Sequence, residues 1–316
     1  MVKLILPDHL IAEIQPLLPA DVEFVVVDSE GNIDGDASDA EVYVNGFYLK
    51  ASTLDKVLAA APVLRWQQSP SAGVNHILTP NFLQRDIILT NGAGVHAIPI
   101  SEFVLAFMLY HAKNLRKLQT LQDEHTWVRG VFLEELADAT LLIIGTGNIG
   151  QAIASRAQAF GVRVWGSRRH PEPSPHFDKI VGADQWRSLL PEADYVVIAT
   201  PLTPETVGLI DEAALRSMRP SAYLINIARG AIVDEDALIT ALREGWIAGA
   251  GLDTVATEPL PPQSPLWSLP NAFITPHCSA LSPRLRERIA ALFIDNLKRY
   301  QAGEPLRNVV DKKAGY

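Results

Sequence analysis

TLLIIGTGNIG, residues 140–150, places a short apolar run directly before a glycine-rich turn. Thr140–Ile144 has the length and the partly β-branched composition of a buried strand. Apolar residues from Ile149 to Phe160 then recur at the spacing of one helix face, and Gly161 marks the expected end of that helix. The stretch therefore predicts a strand, a tight turn and a helix in direct succession.

The turn itself matches the pattern G-x-G-x-x-G, at Gly145, Gly147 and Gly150, with Asn148 and Ile149 between the last two. In such a turn the first glycine allows the tight bend and the second lets a pyrophosphate approach the backbone. The third lets the helix pack closely on the strand. The helix N-terminus adds free N–H groups and the positive end of the helix dipole. Because a strand and a helix flank the motif, we interpret it as a dinucleotide site.

Size, charge and cysteine content narrow the class of protein. A chain of 316 residues suggests about two domains. The net charge of −9, with no basic stripe, argues against a nucleic-acid partner. No apolar run reaches the ~18 residues of a membrane span, and the N-terminal apolar stretch is too short for a signal peptide, so no membrane partner is expected. The single cysteine, Cys278, fits a cytoplasmic location, and the sequence predicts no metal site.

Strand-like and helix-like segments alternate in both halves of the chain, which predicts an α/β protein with parallel sheets. The first half contains five predicted strands, at residues 3–7, 22–28, 42–44, 64–69 and 87–90. The second half contains six, at residues 140–144, 162–165, 195–200, 222–228, 248–252 and 272–275, the number expected of a dinucleotide-binding sheet. Predicted helices include residues 9–18, 52–60, 211–218, 234–244 and 283–301.

Two further segments of the first half have open interpretations. Residues 70–76 (PSAGVNH) form a small-residue turn whose bare N–H groups could receive a carboxylate. On these residues alone, a plain strand–helix connection is favoured. Residues 91–94 (NGAG) indicate a linker, and residues 99–122 a long helix whose first half, ISEFVLAFML, is apolar nearly all round. Such a helix lies between domains or in a subunit interface, so we expect a homodimer, although burial within one chain would give the same pattern.

Four polar residues follow the predicted strands of the second half. They are Arg229, Asp253, Glu258 and His277. In an open α/β sheet, ligands bind beyond the carboxyl ends of the strands, so these side chains should meet on one rim beside the nucleotide. Each has an ordinary structural explanation alone, as a surface ion pair, a turn former, a solvated carboxylate or a buried imidazole. Their convergence indicates a catalytic site.

The chemistry of three of them fits the reduction of a 2-keto acid. That reaction needs a hydride donor, a proton donor to the carbonyl oxygen and a cation for the carboxylate. His277 can give or take the proton near neutral pH, and a carboxylate such as Glu258 stabilises the protonated imidazole. Arg229 offers a planar fork of donors to the carboxylate. These residue types therefore indicate a dehydrogenase.

The residues at the end of the second predicted strand of the second half indicate which nicotinamide cofactor is bound. An acidic residue there would bind the ribose 2′-hydroxyl and mark NAD, whereas an arginine accommodates a 2′-phosphate. The strand instead ends in Ser167, Arg168 and Arg169, with no Asp or Glu. Solvated surface arginines are the alternative interpretation. We predict that NADP(H) is preferred and that NAD(H) is possible.

The chain resembles the D-isomer-specific 2-hydroxyacid dehydrogenases and is similar to their glyoxylate/hydroxypyruvate reductase branch. The resemblance extends over nearly the whole chain. It rests on the glycine turn and on residues 71–76 (SAGVNH), 101–103 (SEF), 201–206 (PLTPET), 226–230 (NIARG), 253, 258–259 (EP), 264–267 (SPLW) and 275–277 (TPH).

This resemblance implies the reduction of small 2-keto acids, such as glyoxylate, hydroxypyruvate or pyruvate, to D-2-hydroxy acids. It implies a catalytic trio of Arg229, Glu258 and His277, with His277 as the acid and base. Backbone amides of Ala72 and Gly73 would bind the substrate carboxylate together with Arg229 and His277. The cofactor-binding residues implied are Gly145, Gly147, Asn148, Ile149, Gly150, Ser167, Arg168, Arg169, Thr200, Pro201, Thr206, Ile227, Ala228, Arg229, Asp253 and His277.

The resemblance also implies a domain organisation. A discontinuous substrate-binding domain would comprise residues 1–97 plus 284–316, and a dinucleotide-binding Rossmann domain residues 98–283. Both would be Rossmann-like or flavodoxin-like parallel-sheet domains, with the active site in the cleft between them and a dimer around the long helix.

Some positions depart from the family pattern and leave alternatives open. Arg168 stands where many members have an NAD-selecting Asp, which agrees with the charge argument. Asn75 replaces a common Asp, and Thr254 and Cys278 replace frequent aliphatic residues. Formate dehydrogenases of this fold carry glutamine where Glu258 stands. A formate dehydrogenase activity is therefore disfavoured. A phosphite-type dehydrogenase and a non-enzymatic, corepressor-like dinucleotide sensor remain as alternatives.

Overall fold

The computed structural model describes residues 2–47 and 49–313, which divide into two compact units. Unit 1 comprises Met1–His96 and Ser282–Tyr316, and unit 2 comprises Ala97–Leu281. Each unit is an α/β structure built on a parallel sheet, so the predicted fold class of two parallel-sheet domains is confirmed. The last helix of the chain belongs to the same unit as the N-terminal strands.

Among the described residues, unit 1 contains a five-stranded sheet and unit 2 a seven-stranded one. The strands of unit 1 are β1 (Val2–Pro7), β2 (Val22–Val27), β3 (Val42–Val44), β4 (Trp66–Gln68) and β5 (Ile88–Thr90), in the order β2-β1-β3-β4-β5. Those of unit 2 are β6 (Thr140–Ile144), β7 (Arg163–Arg168), β8 (Lys179–Gly182), β9 (Tyr195–Ile198), β10 (Tyr223–Asn226), β11 (Gly249–Leu252) and β12 (Ala272–Ile274), in the order β12-β11-β10-β9-β6-β7-β8.

The α-helices of the described residues lie between these strands, as the alternating sequence pattern predicts. They are α1 (Ile11–Ile14), α2 (Ala51–Ala60), α3 (Pro80–Leu83), α4 (Ala97–Ala112), α5 (Leu115–Asp123), α6 (Asn148–Gln158), α7 (Glu212–Ser217), α8 (Glu235–Glu244) and α9 (Leu285–Ala302). None of them combines the length and the apolar composition needed to cross a membrane.

Two predicted helices are broken in the structure. The helix expected at residues 9–18 is a succession of short turns around α1, because Pro16 has no N–H with which to continue the hydrogen bonds of α1. The long helix expected at residues 99–122 ends at Ala112 and restarts as α5. Between them Asn114 adopts a left-handed conformation with φ of 44°, which asparagine tolerates better than most residues.

Unit 2 contains a strand that the sequence prediction missed. The segment β8 is four residues long, begins with a lysine and ends with a glycine, so it carries little of the apolar pattern of a buried strand. It pairs only with β7, at the edge of the sheet. Within that sheet β6 lies between β7 and β9, so the strand order reverses beside β6. Such a topological switch point is where ligands bind in open α/β sheets.

The apolar character of α4 is explained largely by unit 2 itself. Ile100, Val104, Phe107 and Met108 are buried in the core formed with β6 and α6. The ring of Phe107 lies so close to Gly251 of β11 that a Cβ there would meet it at 2.5 Å. Burial within one chain therefore accounts for much of the apolar surface of α4.

Candidate functional site

The glycine turn after β6 has the three distinct environments that its pattern predicts. Gly145 has φ of +105°, and a Cβ there would lie 2.6 Å from the carbonyl oxygen of Ala199. A Cβ on Gly150 would lie 2.3 Å from the carbonyl oxygen of Gly145. A Cβ on Gly147, in contrast, would meet nothing within 4 Å. The fold itself requires the first and third glycines, whereas the second borders open space in which a ligand can approach.

The N-terminus of α6 opens onto the same space. Gly147 is the N-cap residue and supplies no side chain to the first N–H groups of the helix. Ile153 and Ala157 are buried and hold the opposite face of α6 against the sheet. Phe160, which the sequence placed on this face, lies beyond the end of α6 and is exposed. The uncapped N–H groups near Asn148 are therefore available to a phosphate.

The end of β7 lies beside the glycine turn. The carbonyl oxygen of Ser167 accepts a hydrogen bond from the N–H of Gly145 at 3.0 Å, and Ser167 is buried. Arg168 is half-buried and Arg169 is exposed. A hydrogen bond from the Thr203 hydroxyl, and to a smaller extent the charge of Arg169, lower the pKa of the Glu205 carboxyl. The predicted site for the 2′-phosphate thus has the Glu205 carboxylate within electrostatic reach of Arg169.

The loop after β9 is held by hydrogen bonds between its own residues. The Thr206 hydroxyl donates to the carbonyl oxygen of Pro201 at 2.8 Å and accepts from the N–H of Thr203 at 2.7 Å. Thr200, near the start of this loop, is half-buried. The predicted cofactor residues at positions 200, 201 and 206 therefore belong to one short, internally bonded loop that follows the strand next to β6.

A buried asparagine that sequence reasoning missed shapes the turn that carries Arg229. Asn226, the last residue of β10, is 1% exposed. Its amide donates to the carbonyl oxygen of Arg229 at 3.0 Å and accepts from the N–H of Ala228 at 3.0 Å. At Gly230 a Cβ would lie 1.9 Å from the carbonyl carbon of Val255, so the loops after β10 and β11 are in direct contact. The only sequence signal for Asn226 is a polar residue that ends an apolar strand.

Asp253, directly after β11, holds the loop that carries His277. It is 1% exposed. Its Oδ1 accepts from the Thr275 hydroxyl at 2.7 Å and from the N–H of Cys278 at 2.9 Å, and its Oδ2 accepts from the N–H of Ser279 at 3.0 Å. A buried carboxylate needs such donors, because an unpaired one is costly. These three hydrogen bonds of the Asp253 carboxylate therefore all go to the loop that carries His277.

His277 and Glu258 form a hydrogen-bonded pair. The distance from His277 Nδ1 to Glu258 Oε2 is 2.7 Å, and the two side chains are 43% and 38% exposed. Since an ionised carboxylate only accepts, Nδ1 carries the proton and Nε2 is left to exchange a proton with a ligand. His277 itself has φ of +51°, a left-handed conformation that is uncommon outside glycine. Such strained positions concentrate at functional sites.

The structure brings most of the predicted site residues of unit 2 to the carboxyl ends of the strands of its sheet. Arg229, Asp253 and His277 follow β10, β11 and β12, which are neighbours in the sheet, and Glu258 reaches the same place through His277. Arg229 is exposed, and its guanidinium donates to the carbonyl oxygen of Ala228 at 2.7 Å. Within residues 2–47 and 49–313, no cluster of three or more potential ligands could hold a metal ion.

The two remaining predicted residues lie in unit 1. Ala72 and Gly73 are half-buried in the loop that follows β4. Their N–H groups have no hydrogen-bond partner among the residues that the structure describes. They are thus free to bind an anionic group, although their role, like the roles of the residues in unit 2, stays a prediction.

Comparison with known proteins identifies the relatives of this fold and site. Residues 105–279 match the family model of the D-isomer specific 2-hydroxyacid dehydrogenase, NAD binding domain. The curated glyoxylate reductase of Korarchaeum cryptofilum is 35% identical over 267 residues, which cover 82% of this chain and 79% of that protein. The glyoxylate reductase of Pyrococcus furiosus is 37% identical over 269 residues, covering 82% and 79%.

Two solved structures with the same fold contain NADPH or NADP. A D-isomer specific 2-hydroxyacid dehydrogenase from Xanthobacter autotrophicus Py2, in complex with NADPH and MES, superposes with a TM-score of 0.89 at 29% identity, covering 100% of this chain and 99% of that chain. An NADPH-dependent glyoxylate/hydroxypyruvate reductase from Sinorhizobium meliloti, in complex with NADP and sulfate, gives a TM-score of 0.85 at 29% identity and covers 100% of both chains.

The different environments of Gly147 and Gly150 give a prediction that separates binding from folding. Gly147→Ala should keep the melting temperature and weaken dinucleotide binding by about tenfold or more, because its methyl group enters only the space left for the phosphates. Gly150→Ala should lower the melting temperature by roughly 2–10 °C, because its methyl group overlaps the turn. Fluorescence titration and thermal unfolding measure the two effects. Equal losses of stability in both variants would contradict this assignment.

Proposed function

This chain belongs to the D-isomer specific 2-hydroxyacid dehydrogenase family, and from this premise we propose that it reduces small 2-keto acids to D-2-hydroxy acids with NADPH as its preferred cofactor. The substrates proposed are of the glyoxylate, hydroxypyruvate and pyruvate type. The observation that carries the proposal is the 2.7 Å contact between His277 Nδ1 and Glu258 Oε2, on the sheet edge that also presents Arg229. The glyoxylate reductase relatives support the substrate class.

The residues of unit 2 supply the proton chemistry. His277 Nε2 gives a proton to the keto oxygen in reduction and takes it back in the reverse direction. Glu258 accepts a hydrogen bond from Nδ1 and so holds the ring and its tautomer. Arg229 binds the substrate carboxylate or the polarised carbonyl oxygen through its guanidinium fork. In unit 1, the free N–H groups of Ala72 and Gly73 suit an anionic group such as a carboxylate.

The residues around the glycine turn fit a dinucleotide. The open space at Gly147 and the uncapped start of α6 suit the pyrophosphate. Ser167 and Arg168 at the end of β7 suit the ribose 2′-phosphate. When bound, the nicotinamide supplies the hydride to the keto carbon. Residues 227–229, together with the region around Asp253 and His277, are the ones proposed to hold its ring.

Removal of the proton donor tests the reaction. His277→Ala should lower kcat by about 10²–10⁴-fold, and Glu258→Gln should lower it by a smaller factor and keep dinucleotide binding. Glu235→Gln is a matched control, because Glu235 accepts from the N–H of Ala256 in the same loop and makes no contact with His277. Steady-state assays of NADPH oxidation with glyoxylate measure the effect. Unchanged kcat in His277→Ala would contradict the assigned role.

Cofactor preference is tested at the end of β7. The NADPH- and NADP-bound relatives and the arginine pair support NADP(H). Replacing Arg168 and Arg169 together by alanine should raise the KM for NADPH by about tenfold or more and change the KM for NADH little, because only NADPH has a 2′-phosphate. Arg163→Ala, at the opposite end of β7, is the control. A similar change in both KM values would contradict the preference.

A homodimer is the proposed assembly, and its support lies in the segment after α5. Trp127 is 95% exposed and Phe132 is 79% exposed, with Val128 and Leu133 also exposed between and beside them. Large apolar side chains concentrated on one short segment mark an interaction surface. We assign this segment, residues 127–133, to the contact with a second copy of the chain.

The proposed dimer contact predicts a mass change. Trp127→Ala combined with Phe132→Ser should shift sedimentation from dimer to monomer at micromolar concentration, because both anchors of the contact are lost. Trp267→Ala removes another exposed tryptophan of unit 2 and should leave the dimer intact. A wild-type chain that sediments as a monomer, or a double variant that remains dimeric, would contradict the proposal.

A further inference from the structure

Three consecutive carbonyl groups of the loop after β4 accept hydrogen bonds from the connection between β5 and α4. The bonds run from His96 Nε2 to Pro70 O at 3.0 Å, from the Gly92 N–H to Ser71 O at 2.8 Å, and from Asn91 Nδ2 to Ala72 O at 2.9 Å. All of these residues belong to unit 1. Two of the three donors are side chains that the proposed function does not use.

These bonds determine where the opposite sides of the same peptide groups point. In a planar trans peptide the N–H points away from the carbonyl that precedes it. The N–H groups of Ser71, Ala72 and Gly73 therefore all point away from the β5–α4 connection. That of Ser71 is taken by the Ser69 hydroxyl at 3.2 Å. Those of Ala72 and Gly73 stay side by side and free among the described residues, as an anion-binding nest requires.

The donors are themselves held in place. Asn91 is buried, its Oδ1 accepts from the N–H of Ala93 at 3.0 Å, and its backbone N–H donates to the carbonyl oxygen of Asn308 at 3.0 Å. The Asn308 side chain in turn donates to the carbonyl oxygen of Ala93 at 2.8 Å. Asn91 can therefore present its amide N–H groups to Ala72 O without rearranging the connection.

His96 is equally constrained. It is buried, and burial lowers the pKa of its imidazole; the hydrogen bond to Pro70 O opposes this shift and the nearby Arg288 guanidinium adds to it. The neutral ring has a single N–H, and because Pro70 O can only accept, that proton resides on Nε2. The ring thus serves as a fixed donor to the loop.

We propose that Asn91 and His96 are positioning residues for the substrate carboxylate: they hold the carbonyl side of the peptide groups whose N–H groups, at Ala72 and Gly73, receive it. The inference rests on the proposed substrate class. It predicts that their loss weakens substrate binding, because the free N–H groups lose their common direction. Neither residue touches the groups that transfer the proton, so kcat should change little.

Two substitutions remove the donors and preserve most of the shape. Asn91→Asp lacks the Nδ2 donor but keeps the acceptor for the Ala93 N–H, and His96→Phe keeps a ring without a donor. Each should raise the KM for glyoxylate by about tenfold, change kcat less than about threefold and leave the NADPH dissociation constant unchanged. His96→Gln, which restores an N–H donor, should recover most of the lost affinity.

Asn296→Asp controls for a general loss of stability. Asn296 is a fully buried amide on α9 in the same unit, and it bonds to Gln68 and Arg307 and not to the loop. It should lower the melting temperature at an unchanged KM. A KM that rises equally in Asn296→Asp, or that stays constant in Asn91→Asp and His96→Phe, would overturn the inference.

Oxalate separates this inference from the proposed reaction. Calorimetry of oxalate binding to the NADPH-bound protein reports on the carboxylate site without turnover. The inference is supported if Asn91→Asp and His96→Phe bind oxalate more weakly and Asn296→Asp binds it with wild-type affinity. This holds even if no keto acid is reduced. Wild-type turnover with unchanged oxalate binding in both variants would overturn the inference and leave the reaction standing. Absence of both turnover and oxalate binding in the wild type would overturn both.

Discussion

A single buried carboxylate, that of Asp253, connects the parts of unit 2 on which the proposed chemistry depends. Its two oxygens accept three hydrogen bonds from the segment on either side of His277. Its backbone N–H donates to the carbonyl oxygen of Asn226, whose side chain in turn holds the turn that carries Arg229. The strength of the arrangement comes from burial, since hydrogen bonds to a charged acceptor away from water are strong and leaving such an acceptor unpaired is costly.

In both units, buried polar side chains hold the loops, and the groups suited to chemistry lie exposed on those loops. Polar side chains that are buried at or directly after the carboxyl ends of the strands, such as Asn226 and Asn91, bond to the backbone of the loops. The groups suited to chemistry, such as His277, Glu258 and the N–H of Gly73, remain partly exposed on those loops. A rigid layer of buried amides and carboxylates thus sets the direction of the exposed groups. This explains why the buried polar residues cluster at the carboxyl ends of the strands, where function is expected in parallel sheets.

Much of this organisation is readable in the sequence, because apolar runs and the glycine pattern report burial and backbone geometry directly. The convergence of Arg229, Asp253 and His277 follows from a topological rule that needs only the strand ends. The bonds of Asp253 and Asn91 are not readable, because their partners lie about twenty residues away in the chain and depend on the loop conformation. The edge strand β8 and the break at Asn114 were missed, since neither disturbs the hydrophobic period strongly. The apolar α4 predicted burial correctly, but its own unit accounts for most of that burial.

The central claim, that this chain makes D-2-hydroxy acids from small 2-keto acids with NADPH, is tested most directly by the chirality of its product. Hydroxypyruvate is incubated with the protein and NADPH, and the glycerate formed is resolved by chiral chromatography and compared with the amount of NADPH oxidised. The account predicts D-glycerate, formed in one-to-one ratio with NADP. Formation of L-glycerate, or tight NADPH binding without turnover of hydroxypyruvate, glyoxylate or pyruvate, would contradict it; the latter result would favour a dinucleotide sensor or another oxidisable substrate such as phosphite.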